Sequence, residues 1–113
     1  IQVFNHRKME RDFTYIDDII NGTRAAIDKN YPYEVFNLGN NNSEDLMEMV
    51  RLIESQIGKK ADIKFEGMQP GDVKKTFADI KHSQEKLNYT PTTKIVEGIP
   101  KFIEWYLEYS SNK

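Results

Sequence analysis

The pattern of hydrophobic and polar positions predicts three main helices. Apolar residues recur at helical spacing in residues 15–29, in residues 43–56 and in a segment that ends near Tyr109. Pro32 prevents the first of these helices from continuing. The side chains expected to face inward are Ile16, Ile19, Ile20, Thr23, Ala26 and Ile27 in the first helix, Leu46, Met49, Val50 and Ile53 in the second, and Ile95, Ile99, Phe102, Ile103, Tyr106 and Leu107 in the last.

The second and third helices carry signals at their ends. Asn42 or Ser43 is expected to cap the second helix, and Gly58 to end it. Pro100 lies within the third predicted helix, where it removes one backbone hydrogen-bond donor. We therefore expect a kink there, or a helix whose regular part begins near Ile99.

Short extended segments are expected between the helices. The chain opens in a strand-like segment at residues 1–4, and residues 34–39 also have the pattern of a strand. Residues 61–65 alternate apolar and polar side chains, as in a half-buried strand. A loop at residues 67–72 and a short helix near residues 83–87 complete the pattern. It predicts a mixed α/β fold that is rich in helix.

The composition is that of one globular domain. The chain has 113 residues, of which 38% are hydrophobic and 30% charged. The absence of cysteine excludes a disulfide scaffold and suits a reducing compartment, so we expect a cytoplasmic protein. No apolar run is long enough to cross a membrane. The net charge of −2 argues against a general nucleic-acid binder.

The charge is distributed unevenly along the chain. Residues 1–11 hold three basic and one acidic side chain, which gives +2. Residues 12–54 hold three basic and nine acidic ones (−6), and residues 55–113 hold ten basic and eight acidic ones (+2). The basic N-terminal run has the size of a patch for one small anion, although a solvated loop is the simpler explanation on charge alone.

The sequence lacks several familiar catalytic patterns. His6 and His82 belong to no cluster with metal-ligand spacing, so no metal site is expected. The six glycines do not form a dinucleotide fingerprint, and no serine lies in a Gly-x-Ser-x-Gly elbow. Tyr109 and Lys113 have the spacing of the catalytic pair of short-chain dehydrogenases, but they lie at the C-terminal end, and chance explains them better. No catalytic residue is therefore assigned.

A first candidate for ligand binding is the segment 5–18. A basic loop there leads into a helix, so the guanidinium of Arg11 and free backbone N–H groups could face one anion. Alternatively, Arg11 pairs with Asp12 or Asp17 and only pins the loop.

A second candidate is the segment 69–73. Asp72 could accept hydrogen bonds from two adjacent hydroxyls, as on a ribose. Alternatively, this segment is a plain type II turn in which Gly71 provides the positive φ.

Together and in this order, the candidate segments resemble a known family. The set consists of residues 11–18, 35–39, 69–73, 78–79, 89–91 and 102–106. It resembles the C-terminal part of the NAD-dependent nucleotide-sugar epimerases and dehydratases, the extended short-chain dehydrogenases, and most closely the UDP-glucuronate 4-epimerases. The resemblance covers essentially the whole chain. It implies that residues 1–113 are the substrate-binding C-terminal portion of such an enzyme, without its N-terminal NAD-binding Rossmann domain.

The resemblance also implies roles for five residues. Main-chain groups of Gln2 and Phe4 would read the edge of the uracil, Arg11 would bind the diphosphate, and Asp72 would bind the ribose hydroxyls. Gln69 stands where the family has a second arginine that binds the diphosphate. The glutamine can still donate an amide hydrogen bond, as is typical of the glucuronate branch.

Activity and partners follow from the same resemblance. The parent enzyme would be a homodimer that uses NAD to epimerise UDP-glucuronate or UDP-galactose/glucose at C4. This chain would bind the UDP part, and by itself it would bind no NAD and do no chemistry. A decarboxylase or dehydratase acting on a related nucleotide sugar and a free-standing binding module remain open as alternatives. Arg7 stands where the family has glycine, and it strains the loop if the position needs a positive φ.

Overall fold

The fold is mixed α/β and rich in helix, as predicted. A computed structural model describes residues 1–113. Its elements are β1 (Gln2–Val3), a 3₁₀ turn (Asn5–Arg7), β2 (Glu10–Asp12), α1 (Ile16–Lys29), β3 (Ser43–Asp45), α2 (Leu46–Ile57), β4 (Lys64–Phe65), α3 (Lys81–Leu87) and α4 (Ile95–Ser111).

The strands form two small sheets. β1 and β4 are parallel, with Val3 opposite Phe65. β2 and β3 are antiparallel, with Arg11 opposite Glu44. On its other side, β2 meets an isolated parallel bridge from Lys75 to Glu10. β2 therefore lies between two segments of the chain that come from far apart in sequence.

The second helix begins later than predicted. Its N-cap is Asp45, whose carboxylate accepts the N–H of Met47 at 2.7 Å. The expectation of a cap at Asn42 or Ser43 is wrong, because residues 43–45 stay extended to pair with β2. Gly58 ends the helix with φ 68°, as predicted.

α4 begins at Ile95 and runs through Pro100, so the expected start of the regular helix near Ile99 is wrong. The N–H groups of Glu97 and Gly98 both donate to the carbonyl of Lys94, at 3.1 and 2.8 Å, and they establish the first turn. Pro100 comes soon after this turn and costs the helix one hydrogen bond, which the rest of the helix tolerates.

The inward face predicted for α4 is only partly correct. Ile95 and Ile103 are buried, whereas Phe102, Tyr106 and Leu107 are about half exposed, at 48%, 49% and 53%. The N-terminal half of α4 therefore supplies the core contacts. The C-terminal half presents an aromatic stripe in which neighbouring rings pack on one another, formed by Phe102, Trp105, Tyr106 and Tyr109.

A small apolar core lies between α1, α3 and the extended chain that follows α1. Its buried centre is Ile80, Leu87 and Tyr89. The partly buried side chains packed on that centre are Ala25, Ala26, Phe36, Leu38 and Ala78. α1 approaches this chain closely, since a Cβ at Gly22 would lie 2.7 Å from Leu38 Cδ2.

Residues 34–39 do not form the predicted strand. No backbone–backbone hydrogen bond involves these residues, although the carbonyls of Asn37 and Gly39 accept bonds from Ser83 Oγ (2.6 Å) and Tyr89 Oη (2.8 Å). The segment has no neighbouring strand to pair with, so its pattern produces extended chain only. The predicted strand at 61–65 is likewise reduced to Lys64–Phe65, where β1 pairs with it.

Much of the predicted inward face of α1 is open. Ile16, Ile20 and Ile27 are 58%, 54% and 71% exposed, and Val35 in the following segment is 69% exposed. Separately, none of the helices is both long enough and apolar enough to span a membrane.

Candidate functional site: the Arg11 and Asp72 pair

Two of the five predicted site residues are in direct contact. Arg11 Nη2 donates to Asp72 Oδ1 at 2.9 Å, and the two side chains are only 24% and 29% exposed. Arg11 Nη1 donates to the carbonyl of Glu10 at 2.8 Å. Arg11 therefore pairs with Asp72 and not with Asp12 or Asp17, the partners that the alternative named.

The backbone around β2 brings this pair together. The N–H of Glu10 donates to the carbonyl of Lys74 at 2.9 Å, and the N–H of Thr76 donates to the carbonyl of Glu10 at 3.2 Å. This pairing draws the segment after Asp72 alongside β2, next to Arg11. Two residues that are 61 positions apart thereby meet.

Asp72 closes a tight turn. Its N–H donates to the carbonyl of Gln69 at 3.2 Å, and Gly71 has φ 81°, the value that a type II turn requires at this position. Asp72 Oδ1 also accepts the N–H of Val73 at 2.8 Å. The type II turn considered from the sequence is thus present, and it orients the carboxylate that meets Arg11.

Gln2 and Phe4 make no hydrogen bond to Arg11 or Asp72. Gln69 is exposed, and it is joined to the pair only through its carbonyl, which accepts the N–H of Asp72. In β1, the carbonyls of Ile1 and Val3 accept bonds from the β4 side, so the main-chain groups of Gln2 point to the opposite edge. The carbonyl of Phe4 accepts the N–H of Arg7 at 3.3 Å.

The basic loop after β1 is strained. Asn5, His6 and Arg7 have φ values of 50°, 45° and 70°, in the left-handed region that favours glycine. The loop does need a positive φ at Arg7, where the resemblance implies glycine. Arg7 and Lys8 are exposed and make no ion pair.

The sequence reasoning missed two aspartates that join distant segments of the chain. Asp12 accepts the backbone N–H groups of Asn40, Asn41 and Ala78, each at 3.0 Å. Asp18, only 3% exposed, accepts two backbone N–H groups and one hydroxyl from residues 92–93 at 3.1–3.3 Å. The signal in the sequence is the presence of three aspartates within residues 12–18.

The arrangement is suited to binding. A guanidinium and a carboxylate, both partly shielded from water, offer donors for an anion and acceptors for hydroxyls. The described residues contain no group of three or more His, Cys, Asp or Glu placed to hold a metal ion.

Comparison with known proteins identifies relatives of the chain. No family model matches it. It is 48% identical over 108 residues to an uncharacterised protein of Methanocaldococcus jannaschii, which covers 96% of this chain and 33% of that protein. It is 41% identical over 121 residues to UDP-glucuronate 4-epimerase 4 of Arabidopsis thaliana, which covers 95% of this chain and 28% of the plant protein.

A solved structure agrees with these relatives. UDP-glucuronic acid 4-epimerase from Bacillus cereus, solved in complex with UDP-glucuronic acid and NAD, superposes with a TM-score of 0.77 at 35% identity. The match covers 87% of this chain and 32% of that one. The chain thus spans about a third of the length of the relatives that it matches.

The fold and these matches define the chain as a homologue of part of the NAD-dependent nucleotide-sugar epimerases. Within that family, the UDP-glucuronate 4-epimerases match it over nearly its whole length. The resemblance inferred from the sequence is confirmed.

Proposed function

We propose that this chain binds the UDP part of a UDP-sugar within an NAD-dependent 4-epimerase. The observation that carries the proposal is the contact between Arg11 and Asp72. The family resemblance gives these residues to the diphosphate and the ribose, which are adjacent parts of one nucleotide. Two groups with neighbouring targets on one ligand need to be neighbours in the protein.

The hydrogen bonds of the pair leave room for a ligand. Arg11 has five N–H donors, of which the bonds to Asp72 and to the Glu10 carbonyl use two. Both bonds that Asp72 accepts go to Oδ1, so Oδ2 is available for a ribose hydroxyl. Arg11 and Asp72 can therefore bind UDP without giving up their own ion pair, which would orient both groups beforehand.

We propose that uracil lies along the free edge of β1. The main-chain groups of Gln2 face that edge, and Phe4 extends it. Gln69, the exposed first residue of the turn, would donate an amide hydrogen bond to the diphosphate.

The rest of the proposed activity belongs to other parts of the protein. NAD would take a hydride from C4 of the sugar and return it to the opposite face. This chain has no glycine-rich dinucleotide turn, so the NAD site would lie in another part of the protein. Its role would be to hold UDP firmly while the sugar turns, so that the oxidised sugar stays bound.

We propose further that residues 1–113 are the C-terminal portion of this enzyme and dock on an NAD-binding domain. Two features support this. Residues 34–39 are extended and make no backbone–backbone hydrogen bond, and the α1 face at Ile16, Ile20 and Ile27 is exposed. A strand and a helix from a neighbouring sheet domain would cover both. The complete enzyme would be a homodimer.

The direct test is an NMR titration of the ¹⁵N-labelled chain with UDP. We expect saturable shifts at Arg11 and at residues 69–73. Arg11→Ala should weaken UDP binding by about 1.5–3 kcal/mol, the usual contribution of hydrogen bonds to a charged group. Arg51→Ala is the matched control, because Arg51 lies on α2 and pairs only with Glu48, and it should leave binding unchanged.

A second arm tests the role of Asp72. Asp72→Ala should weaken binding of UDP much more than binding of 2′,3′-dideoxy-UDP, because only UDP offers the ribose hydroxyls. Equal losses for the two ligands would mean that Asp72 only shapes the turn. If Arg11→Ala and Arg51→Ala behaved alike, the proposed site would be wrong.

A further inference from the structure

Asp12 joins three segments of the chain at one side chain. Its carboxylate accepts the backbone N–H groups of Asn40, Asn41 and Ala78 at 3.0 Å. Its own N–H donates to Thr76 Oγ1 at 2.9 Å. The end of β2 is thereby tied to the loop that precedes β3 and to the segment that follows the type II turn.

The segment that follows the turn carries Asp72 with it. Only residues 73–75 separate Asp72 from Thr76, and the carbonyl of Lys74 already accepts a bond from Glu10 in β2. The alignment of this segment with β2 therefore sets where Asp72 lies relative to Arg11, which directly precedes Asp12 in the strand.

Packing at Gly39 restricts how residues 74–78 can shift relative to β2. A Cβ at Gly39 would lie 2.3 Å from Ala78 Cβ and 3.1 Å from Asp12 Oδ2. The backbone at Gly39 therefore packs directly on Ala78 and on the Asp12 carboxylate. Close packing and the Asp12 hydrogen bonds together fix the spacing of these segments.

We propose that Asp12 is a positioning residue for nucleotide binding, an inference that rests on the proposed function. Asp12 does not touch UDP. Its hydrogen bonds hold residues 74–78 in alignment with β2, and this keeps Arg11 and Asp72 at the separation that one diphosphate and its attached ribose require.

The Asp12→Asn variant tests this directly. Asparagine has the same size but only one acceptor oxygen, so its amide group would face a backbone N–H at Asn40, or those at Asn41 and Ala78. The segment after the turn loosens as a result. Binding that needs Arg11 and Asp72 together then suffers more than binding that needs Arg11 alone.

Two probes separate these cases. Of this pair, UDP uses both residues, whereas inorganic pyrophosphate, which has no ribose hydroxyls for Asp72, uses only Arg11. In NMR titrations of the 113-residue chain, we expect Asp12→Asn to raise the Kd for UDP about tenfold, roughly the effect of one lost hydrogen bond to a charged group. The Kd for pyrophosphate should change by less than about twofold. A loss of stability alone would weaken both ligands equally.

Asp18→Asn is the matched control. Asp18 also accepts three hydrogen bonds, but it ties α1 to Thr92 and Thr93 and makes no bond to the segments beside β2. This variant should lower stability and leave both Kd values unchanged.

The outcomes are distinct. If the unmodified chain binds no UDP, the proposed function fails and this inference fails with it. If Arg11→Ala weakens UDP binding as expected but folded Asp12→Asn binds UDP normally, only this inference fails. It also fails if Asp12→Asn weakens the binding of both ligands equally, or if Asp18→Asn weakens UDP binding as much as Asp12→Asn does.

If Asp12→Asn does not fold, Thr76→Val replaces it. Equal losses of affinity for the two ligands would again overturn the inference.

Discussion

The hydroxyl of Tyr89 donates to the carbonyl of Gly39 at 2.8 Å, and both residues are buried. This bond attaches the extended chain after α1 to the connector between α3 and α4. The carboxylates of Asp18 and Asp12 lie near enough to act on the phenol. Burial, followed by these two negative charges, raises the pKa of Tyr89 to about 12.

The raised pKa of Tyr89 predicts a loss of stability at alkaline pH. The folded state keeps the phenol neutral up to about pH 12, whereas an unfolded tyrosine ionises near pH 10. The raised pKa of Tyr89 therefore contributes about 2–3 kcal/mol to the free energy of unfolding below about pH 10. This contribution is lost as the pH rises from about 10 to about 12. Urea unfolding from about pH 8.5 to about pH 11.5, a range that crosses the ionisation of the unfolded tyrosine, measures the greater part of this loss.

Tyr89→Phe provides the comparison. It should be less stable at neutral pH by about 1–3 kcal/mol, because the Gly39 carbonyl is left without its donor. The difference from the unmodified chain should then shrink as the pH rises above about 10. Tyr33→Phe, at a position that is 88% exposed, should follow the unmodified chain throughout. A constant difference at all pH values would contradict the assignment to Tyr89.

Arg7→Gly should stabilise the protein. Arg7 has φ 70°, and a side chain in the left-handed region costs about 1–2 kcal/mol. Glycine removes this cost but loses more backbone entropy on folding, about 0.5–1 kcal/mol. The net gain should be about 0.5–1 kcal/mol, seen as a higher urea midpoint with unchanged slope.

Arg7→Ala separates backbone strain from charge. Alanine removes the same charge but keeps a Cβ at the positive φ, so it should give none of this gain. If alanine and glycine stabilised the protein equally, loss of positive charge in the basic loop would be the cause, and the strain would be unimportant.

Local signals predicted the helices well. Helical spacing located α1, α2 and α3 to within three residues at each end, and Gly58 marked the end of α2. The error at the start of α4, near Pro100, arose because a proline soon after the first turn costs only one hydrogen bond.

Pairing between distant segments was harder to predict. Residues 34–39 have a strand pattern, but a strand needs a partner, and no local rule supplies one. The ion pair of Arg11 with Asp72 depends on the alignment of residues 74–76 with β2. Sequence alone named both residues through the family resemblance, but it could not show that they touch.

Gln69→Arg should tighten UDP binding. Gln69 is the exposed first residue of the type II turn, three residues before Asp72, where the resemblance implies a second diphosphate-binding arginine. A guanidinium there would add a charge-assisted bond, and we expect UDP affinity to rise about tenfold, or about 1.4 kcal/mol. NMR titration measures this, and Gln56→Arg, at an exposed position on α2, controls for added charge. An unchanged affinity in Gln69→Arg would mean that position 69 points away from the diphosphate.

The chain should self-associate through residues 15–39, or leave that region partly disordered, while residues 43–109 stay packed. Ile16, Ile20 and Ile27 are exposed apolar side chains on α1, and the extended segment 34–39 makes no backbone–backbone hydrogen bond. Apolar faces and unpaired strand edges both recruit other chains. Sedimentation velocity at several concentrations should show species larger than the monomer, and hydrogen exchange on the same samples should show the weakest protection within residues 15–39.

Charged substitutions on α1 test whether the chain associates through its exposed apolar side chains. The double variant Ile20→Lys with Ile27→Lys should remain monomeric at concentrations where the unmodified chain associates, because lysine at these exposed positions removes the apolar face without disturbing the core. Val96→Lys is the control, since Val96 is 64% exposed on α4 and lies outside this region. A strict monomer with Ile16 to Leu38 strongly protected would contradict the prediction. It would mean that the chain closes its own core and needs no neighbouring domain to cover α1.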